Sequence, residues 1–221
     1  MEIIAKIYTD FSEKFGIPRQ SGISHGKGRI VFERKYRNPD ALRGIDGYSH
    51  LWLIWGFSEN KRSEWSPTVR PPRLGGNRKM GVFATRSPYR PNPIGLSSVR
   101  LVEIKPTDNE GLVLIVDGID MLNGTPIYDI KPYLSFTDSH PDAVCGFADE
   151  VAKYSLDVSI PEQIKAQLTS EEISELTVIL SQDPRPHYKS DGEGEYGMRF
   201  QNYNVSFKVE NKTVTVTKIE K

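Results

Sequence analysis

The chain has 221 residues and a single cysteine, Cys145. One thiol excludes an internal disulfide and points to a reducing compartment. Its small and apolar neighbours, Ala143, Val144, Gly146 and Phe147, make it read as a buried packing residue rather than a nucleophile. Long apolar runs are missing as well. The longest, Leu51 to Phe57, is far short of the about 20 residues that cross a bilayer. The first residues, Met1-Glu-Ile-Ile-Ala-Lys-Ile7, lack the cationic start and apolar run of a signal peptide, so a cytoplasmic, membrane-free protein is expected. Metal-ligand spacing is absent too. His25, His50, His140 and His187 stand far apart, and with one cysteine no metal site is expected. Neither a Walker loop nor a Gly-x-Ser-x-Gly elbow occurs. Gly192-Glu-Gly-Glu-Tyr-Gly197 has the letters of a dinucleotide fingerprint, yet it follows a polar turn and opens no helix. Its two glutamates would repel a pyrophosphate, so it reads as a hairpin loop.

Net charge is the last absence: 29 Lys and Arg cancel 29 Asp and Glu. A neutral chain argues against nucleic acid, but the average hides a local gap. No acid stands between Glu64 and Glu103, while Arg70, Arg73, Arg78, Lys79, Arg86, Arg90 and Arg100 do. Such a chain can still present a basic face. Much of this stretch, Pro67 to Gly95, is Pro- and Gly-rich loop. It reads either as a solvated basic loop or as a rigid set of guanidinium forks for phosphates and carboxylates. The many fixed φ angles favour the second.

Around it the pattern is mainly β. Strands are predicted at Ile3–Tyr8, Gly28–Phe32, Ser49–Phe57, Met80–Ala84, Ile94–Val102, Gly111–Asp117 and Thr125–Tyr133, with Asn38 capping a short helical turn at Pro39. Short strands about ten residues apart, broken by Gly and Pro, argue for a barrel or a sandwich. The pattern changes near residue 148, which divides the chain into 1–147 and 148–221. The second part reads as a small α+β unit: a helix over Ser159–Leu168, a second begun by the Thr169/Glu172 capping box and stopped at Asp183-Pro184, then two strands at Tyr203–Val209 and Thr213–Ile219. Two further polar loops draw notice, Phe15–Gly22 and Leu122–Tyr133. In the latter, Asp129, Lys131 and Tyr133 share one face of an extended segment, which is either a solvated face or the wall of a site.

Taken together, five segments resemble the TrmO (TsaA-like) β-barrel RNA methyltransferases. They are Phe15-Gly-Ile-Pro-Arg-Gln20, Tyr48-Ser-His-Leu-Trp52, Thr68-Val-Arg-Pro-Pro-Arg-Leu-Gly-Gly-Asn77, Gly81-Val-Phe-Ala-Thr-Arg-Ser-Pro-Tyr-Arg-Pro-Asn-Pro-Ile-Gly95 and Asn123-Gly-Thr-Pro-Ile-Tyr-Asp-Ile-Lys-Pro-Tyr133. Gln182-Asp-Pro-Arg-Pro-His-Tyr188 and the strand after Phe200 resemble the tail of bacterial members. The resemblance implies a small barrel that binds S-adenosylmethionine, a C-terminal α+β domain that contacts tRNA, and a homodimer. It implies methylation of the exocyclic nitrogen of threonylcarbamoyl-adenosine beside the anticodon. Carried over, the cofactor wall would be Pro18, Arg19, Gln20, Ser58, Glu59, Arg86, Leu96, Asn123, Gly124, Thr125 and Pro126. Asp129 or Tyr133 would handle the acceptor proton, and Arg90 or Arg70 would clamp the threonyl carboxylate. Arg73, Arg78, Lys79, Asn92, Lys131, Arg185 and Lys189 would meet the tRNA. Two other readings stay open: a methyltransferase of the same barrel acting on a small amine or peptide, and a non-catalytic barrel that binds RNA or a nucleotide.

Overall fold

The structure, a computed structural model, describes residues 1–60, 64–74, 78–185 and 194–221. Through the first part run β1 (Ala5–Thr9), β2 (Lys27–Phe32), β3 (His50–Gly56), β4 (Thr68–Val69), β5 (Met80–Gly81), β6 (Ile94–Thr107), β7 (Gly111–Asp117) and β8 (Thr125–Pro132). There follow α1 (Ser135–Asp138), α2 (Phe147–Val151), β9 (Asp157–Ser159), α3 (Glu162–Lys165), α4 (Ser170–Ser181), β10 (Glu195–Phe200), β11 (Tyr203–Glu210) and β12 (Thr213–Glu220). Six strands close into a barrel in the order β1-β2-β7-β6-β3-β8, each neighbour antiparallel. Closure pairs both edges of every strand. It also needs one apolar face per strand, and β3 supplies it by alternation: Leu51, Leu53 and Trp55 are buried, while His50, Trp52 and Ile54 between them are not. Ile7, Ile30, Leu51, Leu53, Leu114 and Ile127 fill the interior with no exposed surface.

One barrel strand and one strand outside the barrel differ from expectation. β6 runs on to Thr107, past a bulge between Leu101 and Glu103 that resets its register on β7. Of the strand predicted at Met80–Ala84 only Met80 and Gly81 pair, with Val69 and Thr68 of β4, and Val82–Ala84 coils into a 3-10 turn. Thr85 closes this turn on the Val82 carbonyl through its N–H (3.2 Å) and its hydroxyl (2.9 Å), and Arg90 Nη1 adds bonds to the carbonyls of Val82 (3.2 Å) and Thr85 (2.7 Å).

The C-terminal part has its own core. Leu176, Ile179 and Leu180 of α4 pack on Val205, Phe207, Val214 and Val216 of the sheet β10-β11-β12-β9. The capping box forms as read: Glu172 N–H donates to Thr169 Oγ1 (3.2 Å) and Thr169 N–H to Glu172 Oε2 (2.7 Å). The helix predicted from Ser159 is shorter, because β9 pairs in parallel with β12 and holds Ser159 in the sheet, leaving Glu162–Lys165 helical. A third strand, β10, joins the two that were expected. Glu195–Gly197, read as hairpin loop, begin it, and its buried Met198 and Phe200 alternate inward. Cys145 is exposed rather than buried, since the stretch between α1 and α2 lies outside both cores. Among the described residues no helix is long and apolar enough to cross a membrane.

The two cores meet at the loop after β1. Phe11 packs against both, Phe15 stacks on Phe207 with centroids 6.4 Å apart, and a Cβ at Gly16 would come within 2.8 Å of Met198 Cε. Asp183 anchors the far side. Arg185 reaches it through Nε (2.8 Å) and Nη2 (3.0 Å), and the Tyr154 hydroxyl donates to it at 2.9 Å. The Arg185 side chain, expected to meet tRNA, is 9% exposed and engaged with Asp183. Burial pushes the Asp183 carboxyl up, but the hydrogen bonds from Arg185 and Tyr154 outweigh it and hold the group below the usual carboxylate range.

Two variants test this packing. A Cβ at residue 95 would sit 2.2 Å from Trp55 Cε2. Gly95→Ala is therefore expected to cost about 1–3 kcal/mol by overpacking, read as a lower urea midpoint. Arg185→Ala strands a buried carboxylate and is expected to cost on the order of 3 kcal/mol at neutral pH. Because the folded Asp183 value is depressed, the pair's contribution is present at neutral pH and fades as pH falls through that value. A midpoint difference between wild type and variant that stays constant into the acid range would contradict this.

Candidate active site

At one end of the barrel the loops line an open cavity of about 620 Å³, within the range of small-molecule sites. Five stretches meet there: Lys14 and Ile17–Gln20, the end of β3 with Phe57–Asn60, the Thr85–Arg90 loop, the start of β6, and Asp120–Thr125. The floor is Trp55, 6% exposed, with Phe57 tilted against it at 4.4 Å between centroids. Gly95 lets the indole lie against the β6 backbone. Trp55 Nε1–H donates to Ser97 Oγ (2.9 Å), and the Ser97 hydroxyl donates to Asp120 Oδ1 (2.6 Å). This chain fixes the carboxylate at the wall. Burial raises the Asp120 carboxyl above its ordinary value, against the hydrogen bonds of Ser97 and the Ser21 backbone and the charge of Arg86.

The rim is polar and braced. Arg86 Nη1 donates to Gln20 Oε1, and Arg19 Nη2 donates to the Asp183 carbonyl (2.7 Å), tying the rim to the C-terminal unit. Asn60 Nδ2 donates to the Pro88 carbonyl (2.8 Å), and Lys14 Nζ to that of Glu59 (3.2 Å). Thr85 and Ser87 hydroxyls accept from the N–H groups of Ser87 and Tyr89. Loop rigidity here comes from side chains bonded to nearby backbone.

Of the residues expected to hold a cofactor, Pro18, Arg19, Gln20, Ser58, Glu59, Arg86, Leu96 and Thr125 line this cavity. Asn123, Gly124 and Pro126 do not. Asn123 Oδ1 accepts from Thr9 N–H (3.1 Å), Gly124 N–H donates to the Ile7 carbonyl (2.8 Å), and Pro126 is a buried β8 residue opposite Lys6. These three join β8 to β1. Arg90 lines the cavity with its Nη1 committed to the loop carbonyls. Asp129 lies outside the lining, ion-paired to Lys131 at 3.0 Å. Tyr133 stands one ring behind the wall, 5.5 Å from Trp52, whose Nε1 donates to Asp138 (2.8 Å). Arg70, Lys79 and Asn92 are exposed away from the lining, and Arg78 lies 3.3 Å from Glu150. The Arg73 side chain and Lys189 lie outside the described residues.

The sequence reading passed over Asp120, Ser97 and the two indoles. Asp120 stands just before the Leu122–Tyr133 motif, and an acid following a buried strand and a glycine was the available signal. Among the described residues no cluster of three or more His, Cys, Asp or Glu is placed to hold a metal.

Known proteins resemble the chain along its whole length. Residues 6–139 match the tRNA-methyltransferase O N-terminal domain and residues 153–221 the TrmO C-terminal domain. The tRNA (adenine(37)-N6)-methyltransferase of Escherichia coli is 39% identical over 228 residues, covering 99% of this chain and 97% of that one. A Pseudomonas aeruginosa protein described as a putative S-adenosylmethionine-dependent methyltransferase is 39% identical over 211 residues, covering 91% and 89%. The crystal structure of TrmO from Pseudomonas aeruginosa superimposes with a TM-score of 0.77 at 29% identity, over 100% of this chain and 97% of that one. With both halves matched and the barrel shared, the chain belongs to the tRNA-methyltransferase O family.

Proposed function

We propose that this protein methylates the exocyclic nitrogen of adenine 37 in tRNA, carrying the threonylcarbamoyl group, with S-adenosylmethionine as donor. The observation that carries this is the cavity itself, which gathers eight of the eleven residues expected to wall a cofactor from five separate stretches. The donor set suits that molecule. The Trp55 and Phe57 rings offer π faces to a cation, Ile94, Leu96 and Leu122 offer apolar wall, and Arg19 and Arg86 stand at the rim for a carboxylate. S-adenosylmethionine supplies a methyl group on a sulfonium. What the chain supplies is alignment in a shaped pocket, a contribution worth several kcal/mol in such transfers, and no metal is needed.

The tRNA approach belongs to the same proposal. Next to the cavity, exposed Trp65 and Phe83 stack at 6.1 Å, and the Arg90 guanidinium lies 5.6 Å from the Phe83 ring. Unpaired anticodon-loop bases stack on such rings, while Arg70, Arg78 and Lys79 hold phosphates. The acid-free stretch supports this through its local charge. Phe136 and Val144, 86% and 89% exposed, are apolar surface that a second copy would cover, in keeping with a homodimer. A cytoplasmic location is part of the same reading, and so is the division at residues 147 and 148.

Three measurements test it. Titration calorimetry of the wild-type chain with S-adenosylmethionine is expected to show binding. Nucleoside mass spectrometry of tRNA from a deletion strain is expected to lack methylated threonylcarbamoyl-adenosine, and unchanged tRNA would refute the activity. Lys79→Ala is expected to weaken tRNA binding and flatten its salt dependence by about one unit of slope, while Phe83→Ala weakens tRNA binding with the slope unchanged. Equal slope changes in both variants would refute the division between stacking and phosphate contact.

A further inference from the structure

We propose that Asp120 is the proton acceptor of the methyl transfer, the group that touches the N–H of the acceptor nitrogen. This deepens the methyltransferase reading of the same cavity and rests on it. Two carboxylates line the cavity among the described residues. Glu59 is exposed at the rim, where water competes for it. Asp120 is part-buried at the wall, with Oδ1 fixed by Ser97, and Ser97 fixed in turn by Trp55 on the floor. A general base needs that placement: within hydrogen-bond reach of a ligand in the cavity, and held by partners that do not themselves titrate near neutrality. Of the two sequence-based candidates, Asp129 is paired with Lys131 and lies outside the lining, and Tyr133 stands behind Trp52, also outside it.

The charge balance of the step favours the same residue. As the acceptor nitrogen forms its bond to the methyl carbon, the carbon–sulfur electron pair returns to sulfur and the N–H proton passes to the Asp120 carboxylate. One positive and one negative charge disappear together. Beside Trp55, Phe57, Ile94, Leu96 and Leu122, on the apolar part of a lining whose rim is polar, removing both charges is more favourable than in water. Burial already disposes Asp120 to hold a proton. The charged side chain that faces it is Arg86, across from Ser97 of β6 and the Ser21 backbone.

The test uses Asp120→Asn, which keeps the size and an acceptor for Ser97, together with Ser97→Ala. For Asp120→Asn, kcat on threonylcarbamoyl-modified tRNA is expected to fall at least about 100-fold, with the S-adenosylmethionine Kd within tenfold of wild type. A smaller loss of kcat overturns the proposal. A Kd weakened more than tenfold also overturns it, since Asp120 would then be a cofactor ligand. A third readout needs no ligand. Because the folded Asp120 value lies above the unfolded one, its ionised form opposes folding at neutral pH. Asp120→Asn is thus expected to raise the thermal midpoint at pH 7, with the gain closing as pH falls through the raised value. Should Asp120→Asn not fold, Ser97→Ala decides the matter. Loss of a hydrogen bond to the ionised form raises the acid's pKa, so the acid limb of the kcat–pH profile is expected to move upward. An unmoved limb overturns the assignment. A wild-type chain that bound no S-adenosylmethionine would sink the methyltransferase reading itself; a failure confined to the variants sinks only the role of Asp120.

Discussion

The contact of the Trp55 indole with the bare backbone of Gly95 is the constraint from which the site follows. Trp55 is the inward residue at the end of β3, and Gly95 is its direct partner across the β3–β6 ladder. A side chain at 95 would occupy the space of the ring. Its absence lets the indole lie against the strand, bring Nε1 to Ser97 two residues along β6, and stand among the residues that line the cavity. The barrel core therefore ends in a surface that is both packed and chemically addressed. The same ring that closes the interior over Leu53 and Ile127 also carries the hydrogen bond that orients Ser97, and through it Asp120. Stability and site geometry share one side chain, so neither can be retuned alone.

This sharing explains what the sequence disclosed and what it hid. Strand positions were legible because a barrel demands alternation, and β3, β7 and β8 alternate or run apolar between glycines and prolines. The capping box at Thr169 was legible because its two hydrogen bonds are local. The misplaced β9 depends on a distant partner, since it exists because β12 lies beside it, while the Val82–Ala84 turn depends on side-chain bonds from Thr85 and Arg90 that strand periodicity does not reveal. Site residues divide in the same way. Pro18, Arg19, Gln20 and Arg86 sit in conspicuous loops. Asp120 does not. Its partners stand 23 and, through Ser97, 65 residues away in the chain, and only closure of β7, β6 and β3 into adjacent strands brings them together. Asn123 shows the converse, a polar residue in a tight turn whose side chain accepts from the Thr9 N–H far away in the chain.

The basic stretch shows how an uncharged chain can still be electrically divided. Its cations are not one population. Arg90 is bonded to backbone carbonyls and Arg86 to Gln20, whereas Arg70, Arg78 and Lys79 are exposed, Arg78 with Glu150 at 3.3 Å. A guanidinium bonded to carbonyls keeps its charge while losing its freedom, which suits a wall that must not move. An exposed lysine keeps both, which suits a partner that arrives by diffusion and is held through screened charge. Proximity in sequence therefore says little about shared role.

The C-terminal unit enters the site by the same logic, without any of its described residues lining it. Its buried Asp183 serves two neighbours. The carboxylate is held by Arg185 and Tyr154, and the carbonyl of the same residue receives Arg19 from the cavity rim. Phe15 on Phe207 and Gly16 on Met198 clamp the remainder of that loop to the sheet. The loop after β1 is thus fixed at one end by the barrel and along its length by the second core. Loss of that core would leave the barrel closed but the Pro18–Gln20 wall unsupported. Placing a rim loop between two independently packed cores gives it the stiffness that alignment requires, because moving it means disturbing both.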